Sequence, residues 1–288
     1  MTARPAALPL LVLIVLIAFA GNSVLTRAAV GGGHMGAMPF AALRLASGAV
    51  ALAALVLWRD RRLALWGTGR LGGVLSLTLY MIGFSTAYVA LDSGVGALIL
   101  FGGVQVVMFT GALIARESVP PARWLGAALA LSGLAFLLWP TGASAPSLLH
   151  GALMAAAALG WGIYSLIGRR LDDPLGATAA NFVLATPLVL GVLLLVPSQT
   201  DPTPHTPTGV VLAVTSGVVA SGLGYALWYS VLPRLPSATA ALVQLTVPIL
   251  AALGGIAFLA EPLTTRFAIA AILVLGGVAV GVRGARQR

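Results

Sequence analysis

The sequence contains no cysteine and no lysine, and only 8% of its 288 residues are charged. Without cysteine there are no disulfides, iron-sulfur clusters or thiolate metal sites. The histidines His34, His150 and His205 lie far apart between apolar runs, without metal-ligand spacing, so no metal and no cofactor are expected. Carboxylates are also scarce. Asp60, Asp92, Glu117, Asp172, Asp173, Asp201 and Glu261 all stand at the ends of apolar runs or between them. No Ser/His, paired-Asp or HExxH constellation falls inside a run, which argues against an intramembrane enzyme.

What is abundant is apolar. The chain is 59% hydrophobic, far outside the range of a soluble domain of this length, and reads as an integral membrane protein. The net charge of +9 would suggest nucleic acid in a soluble protein. Here every basic residue is arginine and nearly all sit between the runs, a topology signal that implies no nucleic-acid partner.

A helix needs about 20 residues to cross a hydrocarbon core. Suitable runs stand at 7–28, 37–57, 71–90, 93–114, 122–139, 147–168, 176–196, 208–231, 238–258 and 266–282, with tight hairpins expected at Leu91-Asp92 and Leu235-Pro236. The fold class is therefore all-α and polytopic, with ten transmembrane helices. If the N-terminus is inside, the inner loops collect Arg4, Arg59, Arg61, Arg62, Arg70, Arg116, Arg123, Arg169, Arg170, Arg234, Arg283, Arg286 and Arg288. Only Arg27, Arg44 and Arg266 fall elsewhere, so both termini are expected in the cytoplasm of a bacterial inner membrane protein. Arg4, the run from Ala6 and Ala18-Phe19-Ala20 also read as a signal peptide.

Shifting the sequence by half its length matches Ser93 with Ser237, Ala97 with Ala241, Gly111 with Gly255, Glu117 with Glu261 and Gly133 with Gly277. Two five-helix copies follow, residues 1–143 and 144–288. An odd helix number forces the copies into opposite orientations around a central cavity, with substrate near the midplane. The first helix completes copy one, which argues against its removal as a signal peptide.

The runs "AGNSVLTRA" and "PFAALRLASG", the segment "LGWGIYSLIGRRL" and the two glutamate-bearing repeat ends resemble the drug/metabolite transporter superfamily, within it the ten-helix EamA-type exporters. Among these the chain is similar to the YddG-type amino acid exporters, including those for aromatic amino acids. The resemblance implies alternating access, with a small-molecule substrate and surrounding lipid as partners; the oligomeric state stays open, a monomer included. The same superfamily carries other metabolites, sugar phosphates among them, and drugs. Organic anions would call for two or more cavity cations, and only Arg44, with Arg27, qualifies. Proton-driven export of cationic drugs normally uses a carboxylate deep in a helix, and none is present.

Polar residues inside the runs mark the site: Asn22, Ser23, Arg44, Tyr80, Gln105, Trp161, Tyr164, Asn181, Tyr225 and Gln244. Aromatic and amide walls would hold a zwitterion. Arg44 is either a structural brace or the partner of a substrate carboxylate, set beside Asn22. Trp161 is either cavity wall or packing. Gln105, Gln244 and Asn181 equally suit interhelical hydrogen bonds. Tyr225, Trp228 and Tyr229 lie near a helix end and suit an interfacial belt or packing, while Trp58, Trp66, Trp124 and Trp139 suit the belt. Glu117 and Glu261 are expected to pair locally with Arg116, Arg123 or Arg266. Gly102, Gly103, Pro187, Pro248, Gly254 and Gly255 interrupt helices and are hinge candidates, or else sites of close helix packing.

Overall fold

A computed structural model describes residues 7–116, 120–140, 145–195, 205–235 and 243–283. Glu117, one of the residues expected to form a local ion pair, lies outside them, as does Pro236 of the second hairpin. Among the described residues all regular structure is helical. Helix α1 (Ala7–Thr26) continues through a π-helical turn, Arg27–Gly31. Then follow α2 (Ala37–Asp60), α3 (Arg70–Ala87), α4 (Ser93–Ile114), α5 (Pro121–Leu138), α6 (Leu148–Gly168) and α7 (Pro174–Leu195). Helix α8 runs from Pro207 to Val231, with its middle, Ser216–Leu223, wound as a π-helix. Last come α9 (Val247–Leu259) and α10 (Thr265–Arg283).

Seven of these helices are long and apolar enough to cross a membrane, and α9 and α10 are shorter apolar helices. The chain is a multi-pass membrane protein. Its helix boundaries follow local chemistry. Pro121 and Pro207 open α5 and α8 in the first turn, where a missing N–H costs nothing. Arg61, in the left-handed region at φ 58°, closes α2. Pro248 likewise sits in the first turn of α9, just after a turn at 245–246 that parts this helix from the helical residues 243–244. Pro187 lies inside α7, which runs continuously through it.

Helices α2 and α7, α4 and α9, and α5 and α10 pack as pairs. Helix α3 lies against α6 and α8 against α1, while α4 also touches α6 and α9 also touches α1. Glycine sets several of these spacings. A methyl at Gly160 would meet the Ser76 carbonyl at 2.6 Å and the Tyr80 nitrogen at 2.8 Å, and one at Gly83 would meet the Leu153 carbonyl at 2.6 Å. These glycines let α3 and α6 touch backbone to backbone, which places Tyr80 beside Trp161. Gly102, Gly103, Gly254 and Gly255 all lie within continuous helices at close approaches: a methyl at Gly103 would stand 2.7 Å from the Ala158 side chain and one at Gly254 2.7 Å from Val24.

Candidate functional site

Arg44, seven residues into α2, is fully buried. Its Nε donates to Ser221 Oγ at 3.1 Å and its Nη2 to Tyr80 Oη at 3.0 Å. The guanidinium carbon stands 4.8 Å from the Phe84 ring centre and 5.4 Å from that of Tyr80. Nη1 is buried with no partner. Among the described residues no carboxylate lies within ion-pair distance of Arg44. Burying a charge without a counter-ion costs several kcal/mol, and ring faces and two hydroxyls recover only part of it.

Asn22 meets Arg44 through a shared acceptor. Its Nδ2 donates to Tyr80 Oη at 3.3 Å, while Ser216 Oγ donates to Asn22 Oδ1 at 2.6 Å. The Tyr80 hydroxyl thus receives two hydrogen bonds, and its own proton is left to donate. Ser216 and Ser221 both belong to the π-wound middle of α8. There Gly217 brings α8 against the Arg44 carbonyl and Ser47, an approach that any side chain would block. π-Helical segments recur at functional sites because they re-aim side chains.

A second polar cluster lies toward the opposite end of the bundle. Asn181, seven residues into α7, accepts from Arg70 Nη1 at 3.0 Å through Oδ1 and donates from Nδ2 to Tyr164 Oη at 3.4 Å. Tyr164 Oη donates to Thr178 Oγ1 at 2.9 Å, and Thr178 in turn reaches Tyr229 Oη at 3.4 Å. Arg70 Nη1 also donates to the Ala177 carbonyl at 2.7 Å, whereas its Nε is buried and unpartnered. A crevice lined by Tyr164, Ile167, Gly168, Thr178, Asn181 and Tyr229 opens beside this cluster.

Trp161 separates the two clusters. Its ring centre is 5.1 Å from that of Tyr80, 5.6 Å from Tyr164, on which it stacks, and 5.0 Å from Tyr225. These four rings pack against one another between the clusters. Tyr225 and Trp228 are buried and pack on Phe19, and Tyr229 bonds Thr178, so of the belt and packing alternatives these three take packing. Trp58, Trp66, Trp124 and Trp139 are exposed. Ser23 is buried beside the Tyr88 phenol. Gln105 on α4 and Gln244 ahead of α9 are half-buried and join neither cluster.

The ion pairs also depart from expectation. Glu261 binds Arg27, with Oε1 3.4 Å from Arg27 Nε, and accepts from the Ser93 backbone N–H at 2.9 Å and from Ser93 Oγ at 3.2 Å. Arg266 instead donates to the Phe136 and Trp139 carbonyls. The left-handed Ala260 reverses the chain after α9 and returns Glu261 onto the helix end, where Gly255 leaves room for its carboxylate. Desolvation there raises the Glu261 carboxyl above its ordinary range, and outweighs the opposing pull of Ser93 and Arg27.

Sequence reading missed Ser216, Ser221, Thr178 and Arg70. A serine or threonine in a membrane helix commonly satisfies its own backbone, so the hydroxyls carry no distinct signal. Arg70 stands at a helix end and reads as a loop arginine.

Residues 150–283 match the model of the EamA-like transporter family. The chain is 46% identical over 271 residues to the uncharacterized protein PA1977 of Pseudomonas aeruginosa, covering 94% of this chain and 93% of that one. It is 26% identical over 218 residues to an uncharacterized transporter of Archaeoglobus fulgidus, covering 73% of this chain and 75% of the relative. A solved crystal structure of a protein 20% identical superposes with a TM-score of 0.65 over 96% of this chain and 99% of the other, which speaks to the fold. Apolar helices, family match and full-length relative agree: the chain belongs to the EamA-like transporter family of the drug/metabolite transporter superfamily, and so carries a small-molecule substrate across a membrane.

Proposed function

We propose that the protein exports amino acids, neutral and aromatic ones foremost, across a bacterial inner membrane by alternating access, with both termini in the cytoplasm. One observation carries this reading: a fully buried Arg44 with an unpartnered Nη1, no carboxylate near it, and aromatic rings and an amide alongside. A substrate carboxylate supplies the missing counter-charge, and the Tyr80, Trp161 and Tyr225 faces suit an ammonium or an aromatic side chain. In the same reading the ten helices form two inverted copies, residues 1–143 and 144–288. The helix pairing supports it, because the seven pairs named above map onto one another when each helix is exchanged for the one five places on.

The decisive test is counterflow in proteoliposomes against a panel of L-phenylalanine, other amino acids, glucose 6-phosphate, benzoate and organic cations. Accumulation of labelled amino acids is expected. Their absence, with benzoate or the sugar phosphate transported instead, would favour an organic-anion carrier, a reading that gains from a second, half-buried arginine, Arg70.

A further inference from the structure

Arg70 is the unexpected member of the interior. Its three acceptors among the described residues, the carbonyls of Ala64 and Ala177 and the amide oxygen of Asn181, are all uncharged. The nearby Asp173 is engaged elsewhere, by Arg59 Nη2 at 2.7 Å and by the Gly176 N–H at 3.1 Å. The cluster around Arg70 therefore repeats the chemistry around Arg44: a guanidinium without a carboxylate, an asparagine amide, a tyrosine hydroxyl and an aliphatic hydroxyl. The two asparagine-linked centres also sit at matching depths. Arg44 and Asn181 are each seven residues from the start of their helices, roughly 10 Å from opposite ends of the bundle. Trp161 lies between them, in ring contact with the tyrosine of each.

We propose that Arg70, Asn181, Tyr164 and Thr178 form a second anion-binding station, on the cytoplasmic side of Trp161, which a substrate carboxylate occupies before it passes to Arg44. The proposal rests on the amino acid reading for its preferred substrate. The donors suit it: Tyr164, Thr178 and Tyr229 line a crevice at the α6–α7 end, and Arg70, whose Nε–H is unpartnered, bonds Ala177 and Asn181 of its wall. Two stations of like sign lower the cost of moving a carboxylate through a low-dielectric interior, since each replaces hydration at its own depth. Trp161 must swing aside between them, which confines substrate to one station at a time.

Asn181→Asp separates this role from a structural one. It keeps an oxygen acceptor for Arg70, so a guanidinium that merely staples α3 to α7 is satisfied as well as before or better. A station, by contrast, is neutralised by the new carboxylate. The probe is whichever panel member the wild type transports, measured in inside-out and right-side-out membrane vesicles. Asn181→Asp is expected to raise half-saturation at the cytoplasmic face about tenfold and leave the outer face within about twofold. Arg59→Gln, which removes a neighbouring guanidinium outside the cluster, is expected to change neither. Tyr164→Phe deletes one hydroxyl and keeps the ring on Trp161, so it gives the same sided effect at about threefold should the aspartate variant fail to fold. A folded variant with unchanged cytoplasmic half-saturation, or with equal increases at both faces, overturns the station. If phenylalanine is transported but no sided effect appears, the station alone fails. If benzoate or sugar phosphate is carried with the sided effect, the station stands and the amino acid reading fails. Transport of organic cations only, or of nothing, overturns both.

Discussion

The Arg27 guanidinium ties three parts of the bundle to Glu261. Its Nε lies 3.4 Å from Glu261 Oε1, and its Nη1 donates to the Tyr88 and Val89 carbonyls at 3.1 and 2.9 Å. Asp92 adds a longer contact at 3.6 Å. The Glu261 side chain is 8% exposed and that of Arg27 22%, so the carboxylate is the more deeply buried partner. Removing Arg27 leaves that carboxylate without its cation, whereas removing both charges does not. Arg27→Gln is expected to lower stability by about 1–3 kcal/mol, and the double variant with Glu261→Gln to recover much of it. Thermal unfolding in detergent checks this as a double-mutant cycle, and additive losses would show that the pair does not interact.

The same carboxylate sets a pH dependence. Burial raises the Glu261 carboxyl in the folded protein, against the opposing Ser93 N–H and Arg27. Asp92 adds to the rise, the Tyr88 phenol stands nearby, and Arg266 points to the α5 carbonyls. A raised pKa means that folding favours the protonated acid. Its contribution is present in full below the ordinary glutamate value and is lost as pH rises through the raised one. The wild type is expected to lose stability over that interval, and Glu261→Gln to flatten the slope. Melting temperatures taken from acid pH upward through neutrality provide the measurement. Identical slopes would contradict the assignment.

Arg44 offers a stability-function contrast. Its burial without a counter-ion is costly, and only Ser221 and Tyr80 lose a hydrogen bond when it is replaced. Arg44→Gln is expected to hold stability within about 1 kcal/mol of the wild type, or raise it, because relief of an unpaired charge offsets the lost bonds. Transport in proteoliposomes is expected to fall at least about tenfold. Arg44→Lys keeps the charge but not the fork, and should recover only part of the rate. Loss of stable protein in the Gln variant would make Arg44 a brace instead.

The helix pattern was legible because hydropathy and helix rise are local properties. Runs such as 93–114 coincide with α4 residue for residue. Arg44, Asn22 and Tyr80 were legible for the converse reason, as polar groups where apolar ones are the rule. Partnership was not legible. Glu261 reads as a neighbour of Arg266 along the chain, yet its partner Arg27 comes from the far end of the sequence. Arg70 reads as a loop residue because its side chain turns inward only once α7 supplies the Ala177 carbonyl and Asn181. Ser216 and Ser221 gain their meaning from the π-winding of α8, which no residue-type preference announces.

Glycine spacing gives the last prediction. A methyl at Gly160 meets two backbone atoms of α3 at under 3 Å, 2.6 Å to the Ser76 carbonyl and 2.8 Å to the Tyr80 nitrogen, neither able to rotate away. Gly160→Ala must therefore push α6 from α3, at a cost of about 1–3 kcal/mol, and draw Trp161 off the Tyr80 ring. Gly21 in α1, in contrast, has nothing within 4 Å of the same methyl. Gly21→Ala removes only backbone freedom from a helix interior and is expected to stabilise by about 0.5–1 kcal/mol. Thermal unfolding separates the two variants by sign, and Trp161 emission, isolated with the other tryptophans replaced by phenylalanine, should shift only in the first. Equal stability of the two variants would mean that the α3–α6 contact yields freely, so that backbone spacing does not hold Tyr80 and Trp161 together.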